Sequence, residues 1–257
     1  MKKIVLIAAV AFTVFSCSKV GKNEFLITGN AKGIEDGKMV VLQNQDPLTG
    51  IFTAVDSVKI KGGKFELKGK TTEPEFKVLQ VGKKENKVGF ILENGEINFK
   101  VDKDSINNTV VSGTYNNDEF TSFKKESVKS MKDMQKKLAD FEKNNMKAMT
   151  DARTKGDNAS IEKLMKDYQE IQKLGTEFYT KYAETHSKSF LSALVVEGML
   201  NNPQNPETAR AKKIYESLDA VLKNTKIGKS IKTKLDKPVA PPAPPMPAMT
   251  APAPTAQ

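Results

Sequence analysis

Apolar positions change their spacing along this chain, and each change marks a different kind of structure. From Glu24 to about Val111 they alternate in short runs broken by glycine. Phe25-Leu26-Ile27-Thr28 stops at Gly29, Met39 to Leu42 follows Asp36-Gly37, and Phe52 to Ile60 meets Lys61-Gly62-Gly63-Lys64 before Phe65 to Lys68 and Gly69. Phe76 to Val81, Val88 to Leu92, Ile97 to Val101 and Val110-Val111 complete the series before Gly113. Period-two alternation between turn residues predicts β-strands, and so many short strands predict an antiparallel β-sandwich or open barrel. Gly62-Gly63 and Asn94-Gly95 carry the chemistry of tight hairpins, so the strands flanking each are expected to pair. The core is expected from Phe25, Ile27, Val41, Phe65, Leu67, Val78, Phe90, Leu92, Ile97 and Phe99.

At Asn116-Asn117-Asp118 the period lengthens to about three and a half. Phe120, Phe123, Val128, Met131, Met134, Leu138, Phe141, Met146 and Met149 mark one face of a long helix, which Lys155-Gly156-Asp157-Asn158 breaks. A second helix starts near Asn158 or Ser160, either of which can cap it, with Ile161, Leu164, Met165, Tyr168, Ile171, Leu174, Phe178 and Tyr182 as its stripe. Two long helices joined by a short glycine turn predict an antiparallel helical hairpin. Their methionines suit an adaptable binding surface, or the two stripes bury each other. Phe190 to Leu200 is apolar all round and so expected to be buried. Asn205-Pro206-Glu207 signals the start of a helix carrying Ile214, Leu218, Val221 and Leu222. A last short helix runs through Ile227 and Ile231 to Leu235.

The predicted fold class is therefore α+β: a β-sandwich domain at 24–113, then a helical region at 118–235. Two end segments complete the layout. Residues 236–257 are almost all Pro, Ala and other uncharged residues, a disordered tail that serves as a spacer or proline-rich ligand, or simply as a solvated end. Residues 1–16 have two lysines and then the apolar run Ile4 to Phe15, the pattern of a secretory signal peptide and too short to cross a bilayer. Val14-Phe15-Ser16-Cys17 resembles a bacterial lipobox, which implies cleavage before Cys17 and acylation of its thiol. Residues 17–23 are then a lipidated tether. Ser18 in place of an inner-membrane retention aspartate favours, by that resemblance, the outer membrane, with the periplasmic face favoured over the cell surface.

Composition narrows the chemistry. Cys17 is the only cysteine and His186 the only histidine, which excludes disulfides, thiolate metal sites and multi-histidine metal sites. The net charge of +10 sits in the second half: residues 24–119 carry 13 Lys/Arg against 15 Asp/Glu, residues 120–235 carry 23 against 15. An exported protein does not meet nucleic acid in the normal course. An anionic envelope surface or an acidic envelope protein is the partner this half suits, unless the lysines are simply a solvated helical surface. No Gly-x-Ser-x-Gly elbow and no phosphate-binding glycine loop appear. His186 beside Ser187 is the nearest approach to an acid–base site, and Asp102-Lys103-Asp104-Ser105 to a Ca²⁺ loop, though without the glycine and distal glutamate of an EF-hand. No catalytic, cofactor-binding or metal residue is assigned, and no cofactor.

Phe25-Leu26-Ile27-Thr28-Gly29, Asp36-Gly37-Lys38, Asp56-Ser57-Val58, Gly63 to Gly69 and Leu92-Glu93-Asn94-Gly95-Glu96-Ile97 follow one another in an order that resembles a domain of unknown function found at the N-terminus of many envelope lipoproteins. There it precedes helices like Ser187 to Leu200 and then a thioredoxin-like (AhpC/TSA-type) domain with Cys-x-x-Cys. The likeness spans about 24–235. Where the thioredoxin-like domain is expected, this chain has the proline-rich tail and no cysteine pair, so no redox residue carries over. Three functions remain: a non-catalytic, membrane-anchored lipoprotein that binds or scaffolds in the envelope, a docking accessory of a thiol-disulfide system, or a hydrolase with an unrecognised site. The first is preferred.

Overall fold

The computed structural model describes residues 20–46, 49–201 and 207–236. The expected signal peptide at 1–16, the expected lipid site Cys17, Asn205-Pro206 and the segment beyond Asp236 lie outside them. Among the described residues eight strands come first: β1 (Glu24–Asn30), β2 (Met39–Gln45), β3 (Phe52–Lys59), β4 (Lys64–Lys70), β5 (Glu75–Val81), β6 (Lys87–Leu92), β7 (Gly95–Lys100) and β8 (Val110–Ser112). They form two four-stranded sheets, ordered β4-β1-β7-β8 and β3-β2-β5-β6. The sandwich is as expected, with one difference: β1 and β7 run parallel, Ile27 opposite Ile97, while every other named pair is antiparallel.

Alternation sends one face of each sheet inward. Phe25, Ile27, Phe65, Leu67, Ile97 and Phe99 from one sheet meet Val40, Leu42, Leu79, Val81, Phe90 and Leu92 from the other in a single cluster. Phe90 and Phe99 close the gap between the sheets edge to face, with ring centroids 5.1 Å apart. In β2 the expected core residue Val41 faces the other way. Val40 and Leu42 are the buried ones, a register displaced by one residue. Val78 is buried, but on the face of β5 opposite to Leu79 and Val81.

Both expected hairpins are corners instead. Gly62-Gly63 and Asn94-Gly95 each hand the chain from one sheet to the other, and the flanking strands β3 and β4, and β6 and β7, lie in different sheets. At the first corner only Lys61 and Lys64 bridge, because the Asp36 carboxylate takes the N–H groups of Gly62 and Gly63 at 2.8 and 3.1 Å. At the second, the Asn94 amide donates to the carbonyls of Gly21 and Glu24. Gly29 and Gly69 do not end their strands either. They pair across β1 and β4 with Phe65 and Phe25, whose rings lie where a Cβ would be, so glycine provides the seat for an aromatic side chain.

Six α-helices follow among the described residues: α1 (Tyr115–Lys155), α2 (Asn158–Thr185), α3 (Phe190–Asn201), α4 (Thr208–Ser217), α5 (Ala220–Lys223) and α6 (Lys226–Leu235). α1 and α2 form the expected hairpin, turned at Gly156 in the left-handed conformation (φ 66°). The cap of α2 is Asp157, not Asn158 or Ser160: its carboxylate accepts from the N–H and hydroxyl of Ser160. α4 follows Glu207, whose side chain makes no cap bond, and ends at Ser217, which leaves Val221 on α5, 70% exposed. α3 packs against α2, α4 and α6. Its Phe190, Ala193 and Val196 join Ile214, Leu218, Leu222 and Ile231 in a second core that also takes Ile91 from β6. Strand β6 thus serves two cores, Phe90 and Leu92 on one face and Ile91 on the other. No helix among the described residues is long and apolar enough to cross a membrane.

Candidate functional site

The first turn of α1 is where the two halves of the chain are fastened. β6 is an edge strand, so Ile91 has an N–H and a carbonyl with no strand beside them. Asn117, fully buried, supplies both partners: its Oδ1 accepts from Ile91 N at 3.0 Å and its Nδ2 donates to Ile91 O at 2.7 Å. Asn116 reaches in two directions. Its main-chain and side-chain N–H groups donate to the Glu93 carboxylate, and its Oδ1 accepts from Phe190 N at the start of α3. Asp118 accepts from Gly113 N and Thr121 donates to Val111 O. A second fastening lies at α6, where Glu73 accepts the main-chain N–H of Lys226 at 2.7 Å, and Glu73 and Glu75 both pair with its ammonium.

Beside this joint, α1 and α2 bring together Glu119, Tyr182, His186 and Ser189. The Tyr182 hydroxyl lies 2.9 Å from both the Glu119 carboxylate and Ser189 Oγ. Burial, with the nearby Glu119 charge, pushes its pKa well above the ordinary phenol value. His186 stacks on the Tyr182 ring at 4.0 Å, with Nδ1 2.9 Å from the Tyr182 carbonyl and Nε2 3.9 Å from Glu119. Ser187 enters through its carbonyl, which accepts from Asp219 N. The hydroxyl that meets the ring is Thr185 Oγ1, 2.8 Å from Nδ1; among the described residues His186 and Ser187 are neighbours in sequence without forming a base–nucleophile pair. The arrangement locks α1, α2 and the start of α3 together.

The other sequence candidate is also a turn. Asp102 Oδ1 accepts from the N–H groups of Asp104 and Ser105, and these bonds hold its pKa below the ordinary carboxylate value. No three His, Cys, Asp or Glu residues gather as metal ligands among the described residues.

Beyond the joint the hairpin leaves the body. Forty-one residues make α1 roughly 60 Å long at 1.5 Å per residue, and within residues 124–176 only Ala152 is buried. The seam is half-covered side chains: Met134 against Gly175, Phe141 against Tyr168 at 5.9 Å. At its base the seam closes on Phe123, ringed by Phe178, Tyr179 and Tyr182. Arg210 of α4 braces that base, bidentate on Glu177 at 2.7 and 2.9 Å and bonded to Glu184 at 2.8 Å. It holds both carboxyls below the ordinary glutamate value. Along one side of the arm runs an open groove of about 390 Å³, lined by Glu126, Lys129, Asp133 and Lys137 of α1 and Leu174, Phe178 and Lys181 of α2. Alternating charges on an open cleft do not exclude water, and nothing there resembles an enclosed reaction site.

The residues that fasten the molecule, Asn116, Asn117, Glu93 and Arg210, carry no motif. The adjacent asparagines at the change of period are the one signal that marks them. Residues 25–120 match the family model of a domain of unknown function (DUF4369). The match ends at Phe120, in the second turn of α1, so it takes in the strands and the Asn116-Asn117 fastening and stops short of the arm. Neither the curated proteins nor the solved structures contain a match to this chain.

Proposed function

We propose, taking residues 25–120 as a DUF4369 domain, that this chain is a lipid-anchored protein of the bacterial cell envelope with a binding or scaffolding role and no catalysis of its own. The sandwich and the short helices are a rigid base, and the hairpin is a surface held away from it. The observation that carries the reading is the arm. Among the described residues, the side-chain hydrogen bonds and ion pairs of 128–176 all stay within the two helices. A long element that contributes little to the core and holds its side chains in water presents surface rather than a pocket. Val14-Phe15-Ser16-Cys17 supports the anchor, on the outer membrane and facing the periplasm. Two or three acyl chains, each CH₂ contributing about 0.8 kcal/mol, hold such a protein stably to a bilayer.

Two experiments test it. Fatty-acid labelling of cells is expected to mark the wild type and leave Cys17→Ser an unlabelled, uncut precursor; equal labelling of both sinks the anchor. Cross-linking in intact cells followed by mass spectrometry is expected to capture an envelope component through the arm. Capture of a cysteine-bearing oxidoreductase would move the protein to the docking-accessory role, and turnover of an ester, peptide or glycoside by the purified chain would overturn the non-catalytic reading.

A further inference from the structure

The back of α1 carries one kind of residue. Lys125, Lys129, Lys132, Lys136, Lys143 and Lys147 follow one another at steps of four, three, four, seven and four, and all are exposed. At 3.6 residues per turn they fall within a sector of about 60°, and no other residue from 125 to 147 falls in it. Phe123, Met134 and Phe141, which meet α2, lie across the helix from this row. Ala139 and Asp140 border it, while Glu126 and Asp133 line the groove. Lys147 pairs with Asp151; among the described residues the side chains of the other five make no hydrogen bond or ion pair. Like charges at i, i+4, as in Lys125–Lys129, Lys132–Lys136 and Lys143–Lys147, work against a helix. Such a row suits a negative partner.

The chain runs back toward Cys17 from beside the root of this helix. Asn94 donates to the carbonyls of Gly21 and Glu24, and its neighbour Glu93 accepts from Asn116 in the first turn of α1. A Cβ on Gly95 would lie 3.0 Å from Thr114, the residue before the helix. Three residues, ~11 Å at full stretch, separate Val20 from Cys17. We propose that the lysine row of α1 lies along the headgroups of the bilayer that holds the Cys17 lipid, its ammonium groups on the phosphates of anionic lipids. This rests on the anchor proposed above: the lipid brings the root of the arm to the surface, and the row docks the arm lengthwise. Each lysine close to an anionic bilayer strengthens binding about fivefold, and an anchored chain meets that surface at high effective concentration. A plane can meet the whole row, roughly 33 Å long, because its members share one line. A line of cations with no pocket suits a fluid array of phosphates better than the fixed carboxylates of a folded protein. Val128 and Met146, exposed beside Lys132 and Lys143, add apolar contact at headgroup level.

The test uses the chain as cells make it, purified from membranes and returned to vesicles of phosphatidylcholine, alone or with about 30% phosphatidylglycerol. Flotation with the neutral vesicles reads the anchor. The arm is read separately, by a quencher on lipid headgroups and a fluorophore on Ala139→Cys, in the row, or on Gln169→Cys, on the outward side of α2. With anionic vesicles the Ala139→Cys label is expected to be quenched and the Gln169→Cys label spared; with neutral vesicles neither is quenched. Lys132→Gln with Lys136→Gln is expected to weaken docking about 30-fold, and about 0.5 M salt to release it. Lys163→Gln with Lys166→Gln removes the same charge from α2 and is expected to change nothing. Three results overturn the inference: no quenching of Ala139→Cys, quenching that ignores lipid charge, and a loss equal for both lysine pairs. The first leaves the row to an acidic protein. If the neutral vesicles do not float the chain, the anchor fails and the row is read by flotation on anionic vesicles alone. Binding there that is lost with Lys132→Gln and Lys136→Gln supports the row; its absence overturns it.

Discussion

Phe90 and Leu138 are both large apolar residues in regular elements, yet Phe90 is sealed between two sheets while Leu138 keeps part of its surface in water. The difference is the number of layers. Each sheet of the sandwich lays one face on the other, and β6 lays its second face on α3 and its neighbours. Each arm helix has one partner and nothing behind it. Burial needs a second layer on every apolar side, so the body holds its shape cooperatively. The arm's helices depend on their seam and on the ring cluster at Phe123.

The largest expected effect tests that contrast directly. Phe90→Ala is expected to destabilise the whole protein by about 3–5 kcal/mol, because the two sheets cannot close over the cavity, while Leu138→Ala costs about 1–2 kcal/mol because water already reaches the site. Urea unfolding measures both; equal costs would mean the arm is as tightly packed as the body. Next is the joint. Asn117→Ala leaves Ile91 with two unpaired buried groups and is expected to cost about 3 kcal/mol. Asn117→Asp keeps an acceptor for Ile91 N–H and is expected to lose less on the neutral side of its own titration.

The brace at the arm's base has a pH signature. Glu177 and Glu184 have lowered pKa values in the folded protein because Arg210 pairs with them. A carboxyl lowered on folding contributes its stability fully above the unfolded value and loses it as pH falls through the folded one. Arg210→Ala is therefore expected to lower the melting temperature by roughly 2–4 °C near pH 7, an effect of about 1 kcal/mol after solvent screening. The gap to wild type is expected to close as pH drops below the ordinary glutamate range; a gap that persists there would assign the loss to packing. The smallest effect belongs to the arm's tip. Gly156→Ala places a side chain at φ 66° and is expected to cost about 1 kcal/mol, seen as faster hydrogen exchange near the turn with the sandwich amides unchanged.

Element type was largely legible in the sequence, and partnership largely was not. Alternation and the change of period at Asn116-Asn117 locate the eight strands and the two long helices, because those signals are local. Gly62-Gly63 and Asn94-Gly95 report that the chain bends, and bending serves a hairpin or a corner equally well. What decides is a distant acceptor or donor, Asp36 in one case and Asn94 reaching Gly21 in the other. Val41 was misplaced because Met39-Val40-Val41-Leu42 is apolar at every position and so does not reveal its own phase. The Asn117–Ile91 bonds join residues 26 apart, beyond any spacing rule.

The parallel pairing of β1 with β7 has a consequence in time. Ile27 must find Ile97, seventy positions later, whereas the arm's two helices follow each other directly through one short turn. Non-local pairings form slowly and local ones fast, by orders of magnitude. A chain made from its N-terminus therefore carries its first strand unfinished until about seventy more residues have followed, with one side of Glu24–Asn30 open to any passing strand. The arm can zip up within moments of its own synthesis. The first strand to be made is among the last to be completed.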